Sequence, residues 1–253
     1  MIRVSRPATA PKHLRTSAAQ KTRALCEAVT SGNHDVEVDR AVLKKVKPAL
    51  EAAQHGKCCY CESKVRSADV EHFRPVKSTR QSVQKSPRKK PGYYWLAYDW
   101  QNLLWACRDC NEYCKNDRFP LQNPAARARS PKDDLSTEKP LLIDPATEDP
   151  AQHLRFHAEE VLALTPQDRV SRKGRTTVAV LGLSEPSITA LRQAHYEEMR
   201  RIYEIYQALR ASGADPNAEA QLAEVLRDKA KDSAPYAAMA RAALTRWSIP
   251  WEL

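Results

Sequence analysis

The chain has 253 residues, enough for one or two domains whose hydrophobic core needs no disulfide bonds. Its mean hydropathy of -0.64, without an apolar run of about 18 residues, excludes a membrane-spanning helix, so no membrane partner is expected. Only six glycines are present, and none forms a GxGxxG or Walker phosphate-binding loop. We therefore expect any nucleotide hydrolysis to come from another protein.

Positive charge is concentrated in the first part of the chain. The 41 Lys and Arg residues outnumber the 31 Asp and Glu residues and give a net charge of +10. Residues 1–150 contain 27 of the basic and 18 of the acidic side chains, so they carry +9 of this charge. The imbalance favours a polyanionic partner that contacts this part of the chain.

The densest basic run lies between His72 and Gly92 and contains no acidic residue. Its seven basic residues are Arg74, Lys77, Arg80, Lys85, Arg88, Lys89 and Lys90. Such a run is either a solvated loop or a loop that contacts phosphates. The segment before Glu27 holds six basic residues and allows the same two interpretations, while Pro7 and Pro11 argue against an amphipathic targeting helix there.

The predicted elements begin with two helices, near 16–30 and 39–55. Pro48 is expected to kink the second helix, and Gly56 is expected to end it. Cys26 falls on the apolar pattern of the first helix, and we interpret it as a buried apolar residue.

Six of the seven cysteines form two tight clusters, which argues against a framework of disulfide bonds. Each cluster contains a C-x-x-C motif. Two such motifs can build a tetrahedral site of four thiolates, which leaves no position for water and predicts a structural zinc ion. The predicted ligands are Cys58, Cys61, Cys107 and Cys110. Cys59 and Cys114 remain alternatives, because Cys110 and Cys114 also have a permitted ligand spacing.

Two short strands and a helix are predicted around the cysteine motifs. The run from Asp69 to Pro75 alternates and stops at a proline, which places Glu71 and His72 on opposite faces of a strand. A second strand is expected at 102–106, and a helix is expected to begin near Asn111. Strand, strand and helix around a zinc site, with His, Asn and Asn in order, is the ββα-metal arrangement.

The aromatic segment 93–100 has a spacing that favours packing in a short buried helix or turn over stacking on nucleic-acid bases. Residues 121–139 are expected to form a loop, and residues 141–164 two short strands or a hairpin. Three further helices are predicted: one from Ser184, one near 216–231 and one near 234–247.

Cys58 to Pro120 resembles zinc-containing HNH endonucleases. The motifs that carry the resemblance are Cys-x-Tyr-Cys-Glu at 58–62, Glu-His-Phe-Arg-Pro at 71–75, Gly-Tyr-Tyr-Trp-Leu-Ala-Tyr-Asp-Trp at 92–100, Asn-Leu-Leu at 102–104 and Cys-Asn-x3-Lys-x3-Phe-Pro at 110–120. The longer pattern is similar to the PtuB-type HNH nuclease subunits of Septu antiphage systems and of some retrons. The likeness continues through Leu183 and covers most of the chain.

The resemblance implies an α+β, mostly helical fold in three parts. A basic N-terminal arm and helices are expected at 1–56. A zinc-stabilised ββα-metal (HNH) nuclease core is expected at 57–120. A linker, a short hairpin and a C-terminal helical region are expected at 121–253.

The activity that the resemblance implies is metal-dependent hydrolysis of phosphodiester bonds. His72 is the expected general base, since an imidazole with a pKa of about 6.5 can accept a proton near neutral pH. Glu71 and Asn111 would bind Mg²⁺ or Mn²⁺ through oxygen. Asn102 would hold the loop that carries His72 by hydrogen bonds to its backbone, and Lys115 would lie near a phosphate.

The expected substrate is DNA or tRNA. The residues expected to contact it are Arg74, Lys77, Arg80 and Lys115. HNH proteins more often have Asp at the position of Glu71, and the longer side chain would shift the cation or relax the choice between Mg²⁺ and Mn²⁺. Asn111 also fits a plain helix cap, and Lys115 also fits an exposed helical lysine.

Two other functions fit the sequence: a zinc-stabilised nucleic-acid-binding module without catalysis, and a structural subunit that binds a protein. The resemblance implies a bacterial cytoplasmic protein that acts beside an ABC- or SMC-like ATPase, or with a retron component. The near-neutral segment 151–253 is the predicted docking surface. Its predicted contacts are Leu191, Met199, Ile202, Tyr203 and Tyr206.

Overall fold

The computed structural model, which describes residues 1–66, 68–82 and 86–251, places two antiparallel strands between the cysteine motifs. Strand β1 (Asp69–His72) pairs with strand β2 (Leu103–Ala106), and His72 lies opposite Leu103. A π-helix (Asp109–Lys115) follows β2. Two strands and a helix therefore occur where the sequence predicts them, and helices make up about 47% of the chain.

Helix α1 (Lys12–Thr30) packs on the aromatic segment and on the second helix. It begins four residues before the predicted start, directly after Pro11, whose φ of -53° suits the entry to a helix. Leu14 is 1% exposed and joins the hydrophobic cluster that contains Trp100 and Trp105. The first helix is thus packed against the segments that contain the two strands.

Helix α2 (Arg40–Ala53) contacts both strands. Asp39 caps its N-terminus by accepting a hydrogen bond from the backbone N–H of Ala41, at 2.9 Å. The helix continues through Pro48, because Val46 and Leu50 are buried on either side of it. The chain then leaves the helix through Gly56, whose φ of +66° is readily adopted by glycine.

The N-terminal segment lies along the strand pair. Arg6 donates hydrogen bonds to the backbone carbonyls of Leu103 and Gln101. The Trp100 indole N–H donates to the carbonyl of Pro7 at 2.8 Å. These contacts fix the segment before α1 against the residues around β2.

The aromatic segment is buried, as its spacing predicts. It forms two 3₁₀ turns, Tyr94–Leu96 and Trp100–Asn102. Tyr93 is 1% exposed and packs edge-on against Phe119, with ring centroids 5.5 Å apart. Gly92 lets this segment approach the loop after β1, because a Cβ atom there would lie 2.3 Å from the carbonyl oxygen of Pro75.

The C-terminal part contains the predicted hairpin and four helices. Strand β3 (Arg155–His157) pairs with strand β4 (Glu160–Leu162). Helix α3 (Arg172–Leu181) was not predicted, because its β-branched run Thr-Thr-Val has low helix propensity. The residues that begin and end this helix are nevertheless typical of helix termini. The Ser171 side chain caps the N-terminus by accepting a hydrogen bond from the Gly174 N–H, and Gly182 ends the helix at φ +60°. The helices are α3 (Arg172–Leu181), α4 (Pro186–Ser212), α5 (Pro216–Asp228) and α6 (Ala237–Arg246).

Helices α4, α5 and α6 enclose a second hydrophobic core. Met199 and Tyr206 are buried in it, and Ile202 and Tyr203 pack against it, whereas Leu191 is 57% exposed. Most of the apolar stripe expected to dock a partner therefore serves this core. No helix in the part of the chain that the structure describes is long and apolar enough to cross a membrane.

Candidate metal centre and catalytic site

The four cysteines chosen from the sequence converge. The sulfur atoms of Cys58, Cys61, Cys107 and Cys110 all lie within 4.8 Å of one another, and all four residues are buried. A tetrahedron with Zn–S bonds of about 2.3 Å has S–S edges of about 3.8 Å. The sulfur atoms of Cys61 and Cys107 are 3.8 Å apart. The cluster thus has the chemistry and spacing to hold one zinc ion.

Backbone amides support the cluster from both C-x-x-C motifs. The N–H of Tyr60 points at the sulfur of Cys58 at 3.4 Å, and the N–H of Cys110 points at that of Cys107 at 3.5 Å. In the first motif the N–H belongs to the residue two positions after the cysteine, and in the second motif to the residue three positions after it. Both contacts arise because the chain turns tightly after the first cysteine of each motif. Such N–H groups stabilise negative charge on sulfur.

The two alternative cysteines lie outside the cluster. Cys59 is buried, and its N–H donates to the Trp105 carbonyl at 3.0 Å, which ties the first motif to β2. The half-buried Cys114 faces the end of α3, where a Cβ atom on Gly182 would lie 2.8 Å from its sulfur. The cluster of four sulfur atoms thus includes Cys110 and not Cys114.

His72 ends β1 with its ring held by a backbone carbonyl. Its Nε2 atom lies 2.9 Å from the carbonyl oxygen of Ala97. A carbonyl only accepts hydrogen bonds, so Nε2 carries the proton and Nδ1 keeps its lone pair in the neutral ring. Burial lowers the pKa of His72 to about 4, below the ordinary value assumed from the sequence. The imidazole is therefore neutral near pH 7 and can accept a proton at Nδ1.

The titration of His72 gives a testable pH dependence. The pKa is lower in the folded than in the unfolded chain, so the unfolded chain binds more protons between about pH 4 and pH 6.5. The free energy of unfolding therefore falls as the pH drops through that range. The urea midpoint should therefore fall more between about pH 7 and pH 5 in the wild type than in His72→Gln. Equal falls in the two proteins would contradict the lowered pKa.

Asn102 joins the aromatic segment to the loop after β1. Its side-chain oxygen accepts from the Arg74 N–H at 2.7 Å, and its Nδ2 donates to the carbonyls of Arg74 at 3.0 Å and Leu96 at 3.2 Å. The residue is 4% exposed. These hydrogen bonds fix both neighbours of His72: the loop that follows it and the segment that supplies Ala97.

Replacing Asn102 with alanine is expected to destabilise the protein by about 2–4 kcal/mol, because buried backbone groups lose their partners. Urea unfolding followed by circular dichroism measures this change. Asn217→Ala is the matched control, since Asn217 is exposed in the first turn of α5. A loss no larger than that of the control would show that these hydrogen bonds do not hold the loop.

Glu71 points into the protein from the opposite face of β1. Its Oε1 atom lies 2.5 Å from Lys115 Nζ and accepts a hydrogen bond from the Tyr60 hydroxyl at 3.1 Å. Lys115 has no exposed surface, and its Nζ also donates to the His72 carbonyl at 2.9 Å. Burial raises the pKa of Glu71, and Lys115 opposes that rise. Lys115 therefore contacts Glu71 and β1, and not the solvent.

Asn111 is half-buried near the start of the π-helix. Within residues 1–66, 68–82 and 86–251, its side-chain amide has no hydrogen-bond partner, so its oxygen is free to bind a cation. The backbone N–H of Asn111 donates to the Cys107 carbonyl at 3.0 Å, which ties this residue to the second cysteine motif.

The predicted phosphate contacts differ in their surroundings. Arg74 pairs with Glu138, with Nε and Oε2 3.2 Å apart, and Arg80 pairs with Asp117 at 3.1 Å. Lys77 is exposed. Lys85, which belongs to the basic run, lies outside the described residues.

Sequence reasoning missed two groups that hold the site. Tyr60 lies in the first cysteine motif, which gave it no role, and yet its hydroxyl binds Glu71. Glu138 lies in the segment predicted as a polar loop, but it is buried and also accepts from Tyr93 and from the Ala128 N–H. A single Glu within a polar segment carries no signal for such burial.

No family model matches the chain. It is 36% identical over 150 residues to Septu protein PtuB of Bacillus mycoides (strain KBAB4), which covers 58% of this chain and 49% of that protein. It is 27% identical over 144 residues to Septu protein PtuB of Bacillus thuringiensis, with 55% and 41% covered. It is also 27% identical over 151 residues to Septu protein PtuA of Bacillus mycoides, with 58% and 20% covered. The chain thus spans about half or less of these relatives, and over the shared region it is homologous to Septu protein PtuB.

Proposed function

We propose that this protein is a metal-dependent HNH endonuclease that hydrolyses phosphodiester bonds of nucleic acid within a Septu-type antiphage defence complex. The observation that carries the proposal is the imidazole of His72, which is neutral and oriented by the Ala97 carbonyl. It lies at the end of β1, in a strand, strand and helix unit bracketed by four clustered cysteines. Homology to PtuB supports the same conclusion.

In this proposal His72 acts as the general base. Its Nδ1 accepts a proton from the water that attacks phosphorus, while Nε2 keeps its own proton on the Ala97 carbonyl. Asn102 fixes the loop after His72, so the ring needs no reorganisation during the reaction. A bound Mg²⁺ or Mn²⁺ would neutralise charge on the phosphate and on the leaving oxygen.

Two metal sites with different chemistry belong to the proposal. The four cysteines would hold zinc as a structural ion, because all four positions of the tetrahedron are filled by protein. Glu71 and Asn111 would hold the catalytic cation through oxygen. The described hydrogen bonds of Glu71 use Oε1, which leaves Oε2 as the candidate ligand. Lys115 would reach a phosphate only by leaving Glu71.

The second candidate is a zinc-stabilised nucleic-acid-binding module without catalysis. The observation that favours it is the pairing of Glu71 with Lys115, because a buried ion pair already neutralises the carboxylate that a cation would need. This module would use the same basic surface but would not depend on His72.

The two candidates are separated by incubating the purified protein with plasmid, single-stranded DNA or tRNA in Mg²⁺ or Mn²⁺. The endonuclease proposal expects cleavage of at least one of these substrates and loss of cleavage after a brief addition of EDTA. Binding without cleavage, both by the protein alone and beside its ATPase, would favour the non-catalytic module.

The proposed partner is an ABC- or SMC-like ATPase, and a retron component in systems that contain one. Of the contacts predicted on α4, Leu191 is the exposed one, because the other four are packed in or against the second core; Ile205 of the same helix is also exposed. Leu191→Glu should therefore weaken copurification with the ATPase, whereas Val170→Glu, an equally apolar and exposed site outside α4, should not.

A further inference from the structure

More than half of the cations in the basic run are already paired with acidic side chains of the protein. Four of them form ion pairs: Arg74 with Glu138 at 3.2 Å, Arg80 with Asp117 at 3.1 Å, Arg88 with Asp117 at 2.6 Å, and Lys90 with Asp35. The run is therefore a poorer source of free positive charge than its sequence indicates. A surface that attracts phosphates must be sought where cations have no acidic partner.

Helix α1 carries such cations. Lys12, Arg15 and Arg23 are exposed, and across the described residues none of these three side chains has an ion pair or a hydrogen bond. At 100° per residue they fall within an arc of about 80° on one side of the helix. The buried Leu14 and the paired Lys21, which lies 2.8 Å from Asp39, are on the other side. We call these three residues the α1 stripe.

The charges of the α1 stripe do not stabilise their own helix. Lys12 and Arg15 lie in the first turn, where the helix dipole is positive, and α1 has neither an acidic residue in its first turn nor a basic one in its last. This arrangement is unfavourable within the helix but adds side-chain charge to the positive end of the dipole. The combined potential attracts an anion.

We propose that the α1 stripe binds the phosphate backbone of nucleic acid, independently of base sequence. The stripe is about 16 Å long, which spans several successive phosphates of one strand. α1 packs on the turn Tyr94–Leu96, next to the Ala97 carbonyl that orients His72. A strand held by the stripe is therefore bound to the element that supports the proposed base. This inference rests on the proposed function, because it takes nucleic acid as the substrate.

The test compares two triple variants in a His72→Ala background, so that binding is measured without cleavage. The first is Lys12→Gln/Arg15→Gln/Arg23→Gln. The matched control is Arg172→Gln/Arg175→Gln/Arg201→Gln, which removes from α3 and α4 three exposed cations that have no ion pair among the described residues. Fluorescence anisotropy follows binding to a labelled duplex of about 30 base pairs and to tRNA, over about 50–200 mM salt.

The α1 variant should bind the preferred probe at least about tenfold more weakly near 100 mM salt, and the slope of log K against log salt should fall by about 2–3 for a duplex. The control should change the slope by less than about 1. Melting temperature and zinc content should match between the two variants, which excludes misfolding as the cause.

Two outcomes would overturn the inference, and they differ in what else they affect. Equal losses in the two triple variants, with normal binding by the parent, would refute the α1 stripe and leave the proposed function standing. If the His72→Ala parent binds neither probe and the wild type cleaves no substrate, both the α1 stripe and the proposed function are refuted.

Discussion

Alanine at position 72 is expected to lower the rate constant of nucleic-acid cleavage by about 100- to 10,000-fold. The substitution removes Nδ1, the only atom of this side chain free to take the proton, while the Cys cluster and Asn102 keep their contacts. Single-turnover cleavage with excess enzyme measures the chemical step. Zinc content and nucleic-acid affinity should remain close to those of the wild type.

The control for this variant is His34→Ala, which removes an exposed imidazole before α2. It should cleave at the wild-type rate. Undiminished cleavage by His72→Ala would remove the base from the proposal, and loss of zinc together with cleavage would show that the substitution had damaged the scaffold and not the chemistry.

Serine at position 107 is expected to abolish zinc binding and most of the folded structure. Structural zinc contributes about 10–16 kcal/mol in small zinc domains, which is comparable to the whole stability of a typical domain. The wild type, purified without added metal, should contain about one zinc per chain by elemental analysis. The variant should contain none and should lose its cooperative thermal transition by circular dichroism.

Cys26→Ser provides the comparison, because Cys26 is a half-buried residue of α1 outside the cluster. It should retain zinc and lose little stability. A folded Cys107→Ser protein without zinc, or a wild type that is folded and free of zinc, would contradict the structural role of the cluster.

The features that sequence alone predicted are set by local chemistry. Two C-x-x-C motifs define their own turns, so the cluster of Cys58, Cys61, Cys107 and Cys110 could be named before any fold was known. The same holds for β1, whose alternating residues are contiguous, and for the hairpin, whose two strands are close together in the chain.

The features that sequence missed depend on groups far apart along the chain. Lys115 reaches Glu71 across 44 residues, so its helical position alone suggested an exposed lysine. The partner of the His72 ring is a backbone carbonyl, which has no residue type to recognise. Arg80 and Arg88 looked like free charge because their shared acid, Asp117, lies beyond the run. Catalytic roles for His72, Glu71 and Lys115 remain predictions.

The buried carboxylate of Glu138 anchors the C-terminal end of the segment 121–139, whereas the turn around Lys132 lies on the surface. Its two oxygens accept from Arg74, Tyr93 and the Ala128 N–H, whereas the tip around Lys132 is exposed and is held by the bonds of Asp133 to the Arg129 and Ser130 amides. A fluorophore attached at Lys132 would therefore sit on a surface turn whose base is anchored beside the loop after His72. Such a label offers a reporter for substrate arrival that leaves every proposed site residue untouched.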